Sequence, residues 1–254
     1  MIRYVLTACA IAALTACATG PSAPVDASLG GPTDAYAGYL ASDALDGRRI
    51  LPPPPAPDSN YGKADRAYFD DTRALKDSPR WKLAIQDNDL WQGGALKRFA
   101  CAMGTDITEK GTPSAWKILH RIEVDVRTVG TPAKDHFKRD RPLIGNDKPL
   151  CVPREKWMET NASYPSGHSM VAWSWALVLS EAKPSRADAL LKMGQESGES
   201  RTICGVHFPS DVEAGRTLGA GMVARLHAVP EFAADLARAK REIAAAPAPQ
   251  GCPG

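Results

Sequence analysis

Three short stretches of this chain bring cationic and imidazole side chains together with turn residues. The C-terminal one reads Ser200-Arg201-Thr202-Ile203-Cys204-Gly205-Val206-His207-Phe208-Pro209-Ser210-Asp211. His207 and Asp211 are four apart, a spacing that lets a carboxylate fix one imidazole nitrogen and leave the other as nucleophile or base. Pro209 suits the first turn of a helix and not its interior, and Ser210 to Glu213 has the form of a capping box. The pattern therefore places His207 just ahead of a helix that carries Asp211 in its first turn. Free N–H groups at such a helix end suit an anion. The middle stretch, Tyr164-Pro165-Ser166-Gly167-His168, offers a hydroxyl, a glycine that lets phosphate approach the backbone, and a second imidazole. The first stretch, Lys134-Asp135-His136-Phe137-Lys138-Arg139-Asp140-Arg141-Pro142, offers charge. Lys134 and Arg141 share a face if the segment is helical, with Pro142 ending that helix. Arginine supplies a bidentate fork for phosphate oxygens and lysine a point charge. Each stretch alone has a plainer reading, as a capped helix, a turn or a solvated basic face. Together they point to chemistry on a phosphoryl group.

The elements that must hold these stretches are helices. Apolar residues recur at mixed three and four spacings over 63–75, 79–101 and 113–129. Trp116, Leu119, Ile122, Val126 and Val129 mark one face of the third, with Thr112 or Ser114 as its cap. A Pro- and Gly-containing break runs over 141–157. The segment 169–181 is apolar enough for a buried helix, 185–198 and 211–226 are amphipathic, and 231–246 is an Ala- and charge-rich surface helix. Alternating strand patterns are nearly absent. The expected fold class is all-α, a single helical bundle of about 200 residues.

The chain has 254 residues, with 31 Lys and Arg against 29 Asp and Glu. That length allows one domain with a sizeable core, and the charge balance argues against nucleic-acid binding by bulk electrostatics. Met1-Ile2-Arg3 precedes an apolar run from Tyr4 to Ala16, too short to span a bilayer and suited to a signal peptide. It ends Leu14-Thr15-Ala16-Cys17, which resembles a lipobox with Cys17 as the lipidated residue. The expected organisation is a signal peptide with lipobox at 1–17, a flexible tether at 18–34, a catalytic domain at 35–246 and a flexible tail at 247–254. Ala18, rather than Asp, follows the cysteine, so the expected location is periplasmic, lipid-anchored to the outer membrane. Pro52 to Pro55 form an extended run that excludes helix. Beyond the leader, Cys101, Cys151, Cys204 and Cys252 can form up to two disulfides in an oxidising compartment, with three pairings open.

Taken in order, Lys134-x6-Arg141-Pro142, Pro165-Ser166-Gly167-His168 and Ser200-Arg201-x5-His207-x3-Asp211 resemble the three-part signature of the type 2 phosphatidic acid phosphatase superfamily. The proline run with the helix after it, the stretch Phe99-Ala100-Cys101-Ala102, and Glu199 to His207 resemble its class A bacterial non-specific acid phosphatases. The likeness extends over residues 40–239. It implies an acid phosphatase acting on small phosphate monoesters (nucleotides, aryl and sugar phosphates) through a phosphohistidine on His207, with no metal or other cofactor. It implies that Asp211 orients His207, and that His168 protonates the leaving group and then activates water. Lys134, Arg141, Arg201, Ser166 and the Gly167 N–H then hold the phosphoryl oxygens. Pro209 departs from the family pattern and puts the geometry beside the nucleophile in question. A vanadium haloperoxidase would use the same residues with vanadate on His207 and an extra pocket residue; His136 fits a polar wall of the phosphate pocket better than that role. A lipid phosphatase is the second alternative, although no window of 18 apolar residues exists beyond the leader. A non-enzymatic phosphate-binding lipoprotein is the third. No nucleic-acid partner is expected, membrane contact is expected only through the anchor, and the sequence is compatible with an oligomer.

Overall fold

The computed structural model describes residues 36–252, so the leader, Cys17 and the tether lie outside the described residues. Helices and loops account for all of it, and no strand occurs among the described residues. In chain order the helices are α1 (Gly47–Ile50), α2 (Asn60–Thr72), α3 (Pro79–Asn88), α4 (Ala95–Met103), α5 (Pro113–Phe137), α6 (Trp157–Thr160), α7 (Gly167–Ala182), α8 (Ala187–Ile203), α9 (Pro209–Leu226) and α10 (Pro230–Ala245). The all-α expectation holds.

Local chemistry explains most of the boundaries. Ser59 and Ser78 accept from Gly62 N and Trp81 N and so start α2 and α3. The helix expected over 79–101 is two. Asp89 Oδ1 accepts from Trp91 N at 2.8 Å and Gln92 N at 3.0 Å, which turns the chain between α3 and α4. Neither Thr112 nor Ser114 caps α5. The Glu242 carboxylate of α10 accepts from Ser114 N at 2.8 Å instead. The α5 helix also outruns its expected end, continuing through Pro132 because Val129, Ala133 and Lys134 are all buried on its inner face. It stops at Phe137, where Lys138 takes a left-handed conformation with φ of 48°. Arg141 therefore lies in the following loop and not on the helix, which corrects the reading of Lys134 and Arg141 as two turns of one face.

The apolar helix α7 is the centre of the bundle and packs chiefly against α8 and α9. Trp175 is fully buried there, with its Nε1 donating to Leu119 O at 3.1 Å and its ring against Trp91 and Phe99. Losing so large a side chain costs about 3–5 kcal/mol. Gly215 of α9 allows the approach to α7: a Cβ there would stand 2.6 Å from Ser166 O. A smaller apolar cluster, including Trp81, Leu143, Met158, Ile203 and Val206, lies under the loop that precedes α9. Disulfides pair Cys151 with Cys204 and Cys101 with Cys252. The first ties the loop after α5 to the end of α8. The second bears on the tail expected to be flexible: through Cys252, and through Asp106 N donating to Pro247 O at 2.8 Å, residues 247–252 are held against the bundle.

Candidate active site

His207 sits in the short loop joining α8 to α9. Gly205 turns that loop with φ of 78°, a conformation that favours glycine, and a Cβ there would meet Arg73 Nη1 at 2.5 Å. Pro209 is the first residue of α9, where an N–H has no intrahelical partner, so this departure from the family pattern removes no helix bond. The cap of α9 is Asp211 and not the Ser210–Glu213 pair: Asp211 Oδ2 accepts from Phe208 N at 2.7 Å. Glu213 turns outward to bond Tyr61.

The His207–Asp211 relation differs from a direct pair. His207 Nδ1 is 3.5 Å from Asp211 Oδ2 and 3.2 Å from Ser163 Oγ, while Ser163 donates to Asp211 Oδ2 at 2.5 Å. With its proton given to the carboxylate, the Ser163 oxygen accepts from His207 Nδ1–H. This assigns the imidazole tautomer and leaves Nε2 unprotonated, its lone pair accepting from Arg141 Nη1 at 3.2 Å. Arg139 clamps the other side of Asp211, donating to Oδ1 at 2.6 Å and to Asp65 at 2.8 Å.

Lys134, at the end of α5, donates to Ala162 O at 2.6 Å. Arg141 donates from Nε and Nη2 to Asn161 and from Nη1 to Val206 O. Arg201, in the last turn of α8, donates from Nη1 to Asn88 Oδ1 at 2.7 Å. All three cations act on His207: burial first, then Arg141, Lys134 and Arg201, push its pKa well below the ordinary histidine range. Burial, then Arg201, does the same to His168. Burial and neighbouring Arg141 lower Arg201 to about 9. Buried cations converging on one imidazole favour an anionic ligand, and a phosphoryl group is one. Lys134, Arg141, His168, Arg201 and His207 are each 3% exposed or less. A cavity of about 480 Å³ opens over Lys134 and Arg141, with Asn161 and Ala162 on its far wall.

Ser166 and Gly167 begin α7, and Ser166 N donates to Asp211 O at 3.0 Å, which ties this helix start to the site; Ser166 Oγ accepts from Ser169 N and keeps its own proton to donate. His168 is in the first turn. The structure thus brings together His207, His168, Asp211, Lys134, Arg141, Arg201, Ser166 and Gly167. It does not bring His136, which is exposed, edge-on to Phe137, and absent from the walls of the cavity; the polar-wall reading of that residue is corrected. Sequence reasoning missed Ser163, Asp65, Asn88 and Asn161, and assigned Arg139 only to a charged run. Ser163 and Arg139 adjoin the motif stretches; the others carry no local signal.

A helical bundle with buried cations around two imidazoles defines a class of phosphoryl-transfer proteins, and comparison with known proteins names it. The sequence profile of the PAP2 superfamily matches residues 125–234. The non-specific acid phosphatase of Providencia stuartii is 40% identical over 205 residues, covering 80% of this chain and 83% of that protein. That of Salmonella typhimurium is 38% identical over 207 residues, covering 81% and 83%. The acid phosphatase of Zymomonas mobilis is 36% identical over 214 residues, covering 84% and 79%. A crystal structure of a transmembrane PAP2-type phosphatidylglycerolphosphate phosphatase from Bacillus subtilis aligns with TM-score 0.48 and 20% identity over 70% of this chain and 89% of that one, too distant to argue from. The chain belongs to the PAP2 superfamily and, within it, to the class A-like bacterial acid phosphatases. It is a phosphoric monoester hydrolase.

Proposed function

We propose that this enzyme hydrolyses a broad range of small phosphate monoesters through a phosphohistidine on His207, without a metal ion. One observation carries the reading: the unprotonated Nε2 of His207 accepts from Arg141, with Lys134 and Arg201 close enough to act on the ring, while its Nδ1 is held through Ser163 by Asp211. In the first half-reaction Nε2 gives its lone pair to phosphorus. The bond from phosphorus to the leaving-group oxygen breaks, and that oxygen takes a proton from His168. In the second, His168 removes a proton from water, the water oxygen attacks phosphorus, and the N–P electron pair returns to His207. The cations, the Ser166 hydroxyl and the Gly167 N–H stabilise the charge on the equatorial oxygens. Burial and Arg201 disfavour the charged form of His168 in the free site, and the arriving phosphate dianion favours it. Among the described residues no three His, Cys, Asp or Glu side chains cluster so as to hold a metal.

Breadth of substrate follows from a site that grips the phosphoryl group and lies next to an open cavity. We also propose export through the 1–17 leader with lipidation at Cys17 and attachment to the outer membrane; no helix among the described residues is long and apolar enough to cross a membrane. The test is phosphate release from p-nitrophenyl phosphate at acidic pH with EDTA present, by residues 18–254 and by its His207→Ala variant. Turnover by the first and not the second is expected. Turnover by both would overturn the assignment of the nucleophile.

A further inference from the structure

Asn88 belongs to none of the signature stretches, yet it touches two groups of the site from the far side. It is the last residue of α3, and the final carbonyls of a helix have no intrahelical partner. The Asn88 carbonyl accepts from His168 Nε2–H at 3.1 Å. Its carboxamide oxygen accepts from Arg201 Nη1 at 2.7 Å. The residue itself is pinned. On one side Asp87 is bonded by Ser200 Oγ at 2.6 Å and Arg98 at 2.5 Å; on the other, Asp89 organises the turn into α4.

Among the described residues four buried side-chain nitrogens have no hydrogen-bond partner, and two of them, His168 Nδ1 and Arg201 Nε, lie in the site. Both belong to the groups that Asn88 holds, and in each case the nitrogen left over is not the one that Asn88 binds. A buried polar atom without a partner is costly and calls for an explanation. We infer that Asn88 is a positioning residue: it fixes Arg201 and His168 from behind so that Arg201 Nε and His168 Nδ1 are presented to the phosphoryl group and the leaving-group oxygen. The inference rests on the reading of the site given above and deepens it. A neutral carboxamide suits the task because it holds the guanidinium without cancelling its charge. A carboxylate at 88 would form an ion pair with Arg201 and compete with phosphate. It would also add an anion beside His168, which is otherwise faced by Arg201 from α8 and by His207 and Arg141 from the loops.

Two variants test this, each first shown to be folded by circular dichroism. Asn88→Ala removes the hold on Arg201 but keeps the backbone carbonyl on His168. KM and the inhibition constant of inorganic phosphate should rise about tenfold, the loss of one hydrogen bond to a charged group, with kcat changed much less. Asn88→Asp is isosteric. It should weaken phosphate binding at least as much, and should move the alkaline limb of kcat/KM to higher pH, because a neighbouring carboxylate favours protonated His168. A purely structural Asn88 predicts an Asp variant with wild-type phosphate affinity and pH profile. Wild-type phosphate affinity in Asn88→Ala, or an unmoved limb in Asn88→Asp, overturns the inference. Should His207→Ala be inactive while the Asn88 variants behave as wild type, only the role of Asn88 falls. Should His207→Ala turn over, the site reading falls and Asn88 with it.

Discussion

Replacing Arg139 by alanine should damage this protein more than removing a surface arginine. Arg139 donates at 2.6 Å to Asp211 Oδ1, at 2.6 Å to Ser210 Oγ and at 2.8 Å to Asp65 Oδ2. The carboxylates of Asp65 and Asp211 are fully buried, and the Arg139 side chain is only 11% exposed. Arg139→Ala leaves both carboxylates in the interior without their cation. Breaking a buried pair in this way costs about 3–5 kcal/mol, or about 6–20 °C in Tm for a domain of this size. Asp65→Asn in the same chain removes one of the stranded charges, so the double variant should recover about 1–3 kcal/mol relative to the sum of the single losses. The assay is urea and thermal unfolding of wild type, both single variants and the double, with kcat measured alongside. Because Asp211 acts on His207 through Ser163, kcat should fall in Arg139→Ala even where the protein is fully folded. The reasoning is refuted if Arg139→Ala melts within about 2 °C of wild type, or if the two substitutions add to within about 0.5 kcal/mol.

Other consequences can be checked with simple assays. Ser163→Ala removes the link between His207 Nδ1 and Asp211; kcat should fall about 10- to 100-fold with KM little changed, a smaller loss than in His207→Ala, as steady-state kinetics will show. EDTA dialysis should leave phosphate release intact, and loss restored by added Zn²⁺ or Mg²⁺ would contradict the role given to the cations. Burial raises Glu123 from 4.5 to about 7, against the opposing pull of Arg127 and Trp91. Folded protein therefore keeps this proton where unfolded chain has lost it. The resulting stabilisation is complete below pH 4.5 and is lost as pH rises towards 7. Glu123→Gln should accordingly gain on wild type between pH 5 and pH 8 in urea midpoints, and a constant difference would refute the assignment.

The residues proposed to hold the phosphoryl group are legible in sequence because each lies in a short motif whose spacing reports a local geometry. His207 before Pro209, and Ser166-Gly167 at the start of an apolar run, are statements about helix N-termini, and both helices begin there. The spacing of Lys134 and Arg141 misled for the same reason. Seven residues mean one face only inside a helix, and the left-handed turn at Lys138, a non-glycine residue, breaks the register. Arg141 reaches the site from a loop that the Cys151–Cys204 bond ties to the end of α8. Asn88 and Asp65 were invisible, since their partners lie 74 to 145 residues away and no periodicity encodes such a meeting. Ser163 adjoins the second motif, but a serine beside a tyrosine carries no sign that two distant side chains will close on its hydroxyl.

The central claim is a covalent one, and rapid-quench trapping addresses it directly. Wild-type enzyme mixed with a substrate radiolabelled at phosphorus and stopped in alkali should carry protein-bound label that survives base and is released by acid, the behaviour of a phosphoramidate. Peptide mapping should place it on His207, and His207→Ala should carry none. Turnover without any trapped label under single-turnover conditions, or label on another residue, would contradict the account.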